Sequence, residues 1–98
     1  MQQSHTLSLG RAIGRDGYVS DADLDSWVRD VVAPALESFT LTSATGYWRG
    51  QRETTAVVEY VGAPEAAAML RALATDYKAR FRQEAVALVS RDAAFELV

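Results

Sequence analysis

The sequence predicts an α+β domain of ferredoxin-like type, with segments in the order β-α-β-β-α-β. Two longer runs place apolar residues at spacings of three and four, as helices do, and four others alternate apolar with polar residues, as strands do. The 98 residues contain no linker, repeat or low-complexity stretch between these runs, so residues 1–98 read as one domain. The expected architecture is a four-stranded antiparallel sheet of order 4-1-3-2, with both helices on one face. A chain of this size buries roughly 60–70% of its unfolded surface, which is enough for one modest core.

Thr6 to Ile13 reads as the first strand, with Leu7, Leu9 and Ile13 on one face, and Gly14-Arg15-Asp16-Gly17 as a turn. Ser20 opens the first helix, because its hydroxyl can accept the Asp23 backbone N–H in a Ser-x-x-Asp box. Leu24, Trp27, Val28, Val31 and Val32 form the apolar stripe, and Pro34 ends or kinks the helix because it has no donor. Phe39 to Trp48 is the second strand, Gly50-Gln51 suits a tight hairpin, and Thr54 to Val61 is the third strand. Pro64 suits the first position of the second helix, whose stripe is Ala66, Leu70, Leu73, Tyr77 and Phe81. That helix passes into a fourth strand, Ala85 to Ser90, with no Gly or Pro between them, and Phe95 to Val98 is a possible short fifth strand.

Composition narrows the function. The net charge of −3 supplies no basic field for nucleic acid or an anionic membrane. The absence of cysteine excludes disulfides, thiol chemistry and cysteine metal sites. No apolar run approaches the ~20 residues that span a bilayer. Met1-Gln2-Gln3-Ser4-His5 has neither the basic nor the apolar region of an export signal, so a cytoplasmic location is expected. His5, the one histidine, falls near a terminus expected to fray. A Ser-His-Asp triad and a histidine-cluster metal site are therefore not expected, and no phosphate-cradling glycine loop or dinucleotide fingerprint occurs.

The topology brings three connections to one end of the sheet: Gly14–Ser20, Trp48–Glu53 and Arg82–Glu84. Arg15, Arg49, Arg52, Arg80 and Arg82, half of the ten basic residues, lie in or near them, with Asp16, Glu53 and Glu84 among them. Such a pole reads as a recess for a carboxylate or phosphate, which arginine forks hold bidentately. The commoner reading of such a pole is solvated loops carrying weak surface ion pairs. Asp21, Asp23 and Asp25 already occupy the first helix's start, where an anion would otherwise be favoured. On the third strand, Val57 and Val61 face away from Ala56, Val58 and Tyr60, with Glu59 between them. An uncovered sheet face carrying apolar residues predicts homodimerisation through that face, which would enclose a pocket.

Glu53 and Glu84 are candidates for a general acid–base pair, or for structural pairing with Arg49 or Arg82. Trp48 and Tyr60 fit either a pocket wall or a core or interface position, and Tyr77 and Phe81 default to the core.

At these residues the chain resembles an uncharacterised family of small bacterial proteins, mostly exported, known as a domain of unknown function. The matching segments are Val19-Ser20-Asp21-Ala22, Val31-Val32-Ala33-Pro34, Phe39-Thr40-Leu41, Gly46-Tyr47-Trp48-Arg49-Gly50 with Glu53, and Tyr77 to Val86. They span about Gly17 to Val89, and the last is fairly specific. The resemblance implies the fold read above and no known reaction, and it singles out Trp48, Arg49, Glu53, Tyr77, Gln83 and Glu84. Two departures stand: the missing export signal, and Ala85 where the family tends to have Ser.

The leading expectation is a homodimeric binding module for a small anionic or polar ligand, without cofactor or metal. Arg49 and Arg82 hold the charge, Gln83 orients the ligand, Trp48 and Tyr77 form walls, and Glu53 and Glu84 position the arginines. Two alternatives stand beside it: a cofactor-free lyase, isomerase or oxygenase with Glu53 or Glu84 as base, and a protein-binding or inhibitory module.

Overall fold

The computed structural model describes all residues, Met1–Val98. Strand β1 (Gln2–Gly10) is central, paired antiparallel with both β5 (Gln51–Gly62) and β6 (Ala87–Ala93). β4 (Thr40–Trp48) pairs with β5, giving the order β4-β5-β1-β6, the split arrangement expected from the sequence. A two-residue ladder, β2 (Ala12–Ile13) with β3 (Gly17–Tyr18), sits beside the sheet.

The first strand therefore begins and ends earlier than its hydrophobic pattern indicated. Ile13 belongs to the small ladder, and the main strand reaches back to Gln2. The reason is His5: fully buried, it continues the inward alternation of Leu7 and Leu9. Its Nδ1 lies 2.7 Å from Ser90 Oγ and its Nε2 lies 3.2 Å from the Ala63 carbonyl, so it is anchored rather than frayed. The last strand is likewise shifted, to Ala87–Ala93. Phe95–Val98 forms no strand and is exposed.

Ser20 caps α1 (Asp21–Trp27) as anticipated, its Oγ accepting the Asp23 N–H at 3.1 Å. A π-helical turn, Val28–Val32, connects α1 to α2 (Ala33–Leu36). The Ala33 N–H reaches back five residues to the Val28 carbonyl, and Pro34 then falls in the first turn of the new segment, where its missing donor costs nothing. The discontinuity expected at Pro34 thus lies just before it, and the helix carries on to Leu36.

Pro64–Ala66 forms a 3₁₀ turn that leads into α3 (Ala67–Arg80). Both helical segments bury their stripes on one sheet face. Leu24, Trp27, Val32, Leu36, Leu70, Leu73, Tyr77 and Phe81 meet Leu7, Leu9, Ala56 and Val58 there. Trp27, Tyr77 and Phe81 form an aromatic column with successive centroids 4.9 Å apart. The Trp27 Nε1–H donates to Asp76 Oδ2 at 2.6 Å, which satisfies the one polar atom of a fully buried indole.

No helix covers the opposite face. Val57 and Val61 are half-buried there, as the strand pattern implied, but their neighbours Ser4, Thr6, Ser8, Thr40 and Thr42 carry hydroxyls. No helix is long and apolar enough to cross a membrane.

Candidate functional site

The three connections do converge. A cleft of about 860 Å³ opens at this pole and runs onto the uncovered sheet face. Its floor is made of small residues from β1, β4 and the start of β6: Ser8, Gly10, Ala44, Gly46 and Ala87. Trp48, Arg49, Glu53, Arg82, Gln83 and Glu84 stand around it.

The hairpin supplies Trp48 and Arg49. Trp48 pairs with Gln51, so the two turn residues are Arg49 and Gly50, one position earlier than the sequence indicated. Both have positive φ, 51° and 79°, the signature of a two-residue turn whose twist matches its strands. Arginine is an uncommon occupant of that conformation. The Trp48 Nε1–H donates to Glu84 Oε2 at 2.9 Å, and the same carboxylate oxygen lies 3.6 Å from Arg49 Nε. The Arg49 guanidinium sits 5.6 Å from the Trp48 ring centre. These three side chains brace one another across the cleft mouth. All are exposed, so the pairing fixes geometry more than it adds stability.

The handover after α3 supplies Arg82 and Gln83. The Gln83 N–H bonds the Lys78 carbonyl at 3.0 Å, and Arg82 has φ 51°. This is the helix-ending motif in which glycine normally takes the left-handed position. The Gln83 side-chain amide donates to the carbonyls of Ala12, at 2.9 Å, and Phe81, at 3.1 Å, tying the handover to the first connection. Arg82 is exposed and makes no ion pair.

Glu53 does not pair with an arginine, contrary to the expected positioning role. Its Oε2 accepts the Ala12 N–H at 3.2 Å, and its carboxylate lies over Gly10. A Cβ added at Gly10 would stand 2.5 Å from Glu53 Oε1, so only glycine admits the half-buried carboxylate at this point of the floor.

Tyr77 departs furthest from expectation. It is fully buried, and its hydroxyl donates to the Gly10 carbonyl at 2.8 Å. It supports the cleft floor from the core side and forms no wall. Burial pushes its hydroxyl up to about 12, against a downward pull from Arg11, with Glu53 and Tyr18 adding to the rise. Tyr60 is also outside the cleft, stacked on His5 at 6.3 Å. Arg80 turns back to Asp76 at 3.8 Å.

Two features were missed from sequence. Glycines 10 and 46 inside strands were a readable sign of close approach. Arg11 had no distinguishing mark. Its buried guanidinium donates through Nε and Nη2 to the Val19 carbonyl (3.0 and 2.7 Å) and through Nη2 to Asp21 Oδ1 (2.6 Å), closing the first connection.

This is an α+β protein of ferredoxin-like topology with a cleft, rimmed by polar side chains, on its uncovered sheet face. By sequence the chain belongs to the family described as "Protein of unknown function (DUF3574)", whose model matches residues 4–97. No curated protein matches it. Among solved structures it is similar to a phage SAM lyase in complex with S-methyl-5′-thioadenosine. The TM-score is 0.72 at 16% identity, over 93% of this chain and 81% of the lyase. The apo form of a phage SAM lyase gives 0.64 at 18% identity, over 91% and 78%. A crystal structure of an Arabidopsis thaliana protein gives 0.58 at 14% identity, over 98% and 99%. At these identities the likeness establishes the fold.

Proposed function

We propose that this chain is a small-ligand-binding module whose site is this cleft, with a second copy on the uncovered face closing it. Arg82 and Arg49 hold an anionic or polar group, Gln83 fixes the ligand's orientation, and Trp48 offers an aromatic surface. The observation that carries the reading is the cleft itself. Its volume of about 860 Å³ suits a drug-sized ligand, its floor is cleared of large side chains, and its polar side chains converge from the hairpin and the handover. The fold likeness to a lyase solved with S-methyl-5′-thioadenosine makes nucleoside thioethers the first class to try.

The test is calorimetric titration of S-methyl-5′-thioadenosine and S-adenosylmethionine into the protein and into Arg49→Ala and Arg82→Ala. Binding that is lost in the variants supports the assignment. Unchanged affinity in both variants rejects it.

A second reading, a cofactor-free lyase, draws on the same likeness and on Glu53. Of the two carboxylates, Glu84 is committed to Trp48 and Arg49, whereas Glu53 keeps Oε1 without a hydrogen-bond partner above the glycine floor. Glu53 is the better base. Turnover of S-adenosylmethionine that disappears in Glu53→Gln while thioether binding persists would select this reading over simple binding.

A further inference from the structure

Strand β4 is an edge strand, bonded to β5 alone, and it is exposed at every position except Gly46. Sheets protect such edges with charges, proline or bulges. β4 has none of these: Thr40-Leu41-Thr42-Ser43-Ala44-Thr45-Gly46-Tyr47-Trp48 contains no charge or proline, and its register with β5 is unbroken from end to end. The opposite edge, β6, carries Arg91 and Asp92. β4 also displays three of the large exposed apolar side chains: Leu41 at 39%, Tyr47 at 70% and Trp48 at 45%.

We propose that β4 pairs antiparallel with β4 of a second copy of this chain, about a two-fold axis at Ala44, making one continuous eight-stranded sheet. Ala44 then faces its own copy, Ser43 faces Thr45, Thr42 faces Gly46, Leu41 faces Tyr47 and Thr40 faces Trp48. Every exposed apolar residue of the strand gains a β-branched or apolar partner on its own side of the sheet, twice over. A slip of two residues would set Leu41 against Arg49 in one direction and Trp48 against Ser38, outside the strand, in the other, so the pattern selects one register.

Charge agrees with this arrangement. Glu37 lies just before β4 and Arg52 beside its hairpin end, and neither makes an ion pair within the chain. Antiparallel apposition sets the acidic end of one copy beside the basic end of the other. The axis keeps the helices of both copies on one side and both clefts on the other. Thr40 of each copy abuts Trp48 of its mate, and so the seam buttresses the cleft wall. This contact is separate from closure of the cleft over the sheet face, and neither depends on the other.

The chain has no cysteine, so Ala44→Cys carries a single thiol. Facing antiparallel residues have Cα atoms about 4.5–5.5 Å apart, within disulfide reach of about 4.4–6.8 Å. Mild oxidation should convert Ala44→Cys to a covalent dimer on a non-reducing gel, whereas Met69→Cys, exposed on α3 away from both the seam and the sheet face, should stay largely uncrosslinked. Ser43→Lys, exposed and pointing away from the cleft, should weaken self-association in sedimentation about tenfold or more while leaving the far-ultraviolet dichroism unchanged. A wild-type chain that sediments as a monomer at every concentration would overturn the proposal. So would a dimer indifferent to Ser43→Lys but dissociated by Val89→Arg on the sheet face. If Ser43→Lys fails to fold, the two cysteine variants decide alone.

Discussion

The two faces of this sheet are built from opposite materials. On the helix side Leu7, Leu9, Val58, Trp27 and Tyr77 are fully buried in one cluster of large side chains. On the other side, at the pole, the same strands contribute Ser8, Gly10, Ala44 and Gly46, and volume is left open. Alternation along β1 produces both results from a single strand, because neighbouring residues point to opposite faces. Stability is thus concentrated on one face, and the other, under the proposed function, is where a ligand would sit. Substitutions should divide accordingly.

The largest expected effect is on the filled side. Trp27→Ala removes the top of the aromatic column and strands Asp76, and it should cost roughly 3–5 kcal/mol in denaturant unfolding. Gly10→Val probes the emptied side, because the new side chain must displace the Glu53 carboxylate. A loss of about 1–3 kcal/mol is expected, together with loss of ligand binding. A neutral result would show that the floor is not tightly fitted.

Tyr77 spans the two regions. Tyr77→Phe should cost about 0.5–1.5 kcal/mol for the bond to the Gly10 carbonyl. The fold favours the neutral phenol, so the wild-type stabilisation is complete below pH 10, the ordinary value. It is lost as the pH rises towards about 12. Alkaline unfolding curves of the two proteins should therefore converge across that window, and parallel curves would contradict the role assigned to burial. Smallest of all, Glu84→Ala should change stability by less than about 0.5 kcal/mol, since its partners are exposed, yet it should loosen Trp48 and weaken binding.

How much of this could be read beforehand follows from the same contrast. The helix-side stripes were legible because large apolar residues repeat with a period, and the Ser20 cap was legible because its chemistry is local. The order of strands and the meeting of Arg49, Arg82, Gln83, Glu53 and Glu84 followed from connectivity. What escaped depended on distant partners. His5 looks like a loose end until Ser90 and Ala63 are placed beside it. Arg11 gains its role only when the Val19 carbonyl folds over it. Tyr77 carries two messages, an apolar stripe position and a hydroxyl, and only the location of Gly10 determines which direction that hydroxyl takes.

β1 lies between β5 and β6, so this strand is completed by partners roughly 50 and 85 residues further along. Such distant closures make folding slow and leave the early chain waiting on the ribosome with its hydrogen-bonding edges bare. The assembly schedule of this protein is therefore set by its final strand: a transcript cut short before Ala87 would encode a sheet without its fourth member, and cellular quality control would meet that product as a misfolding hazard.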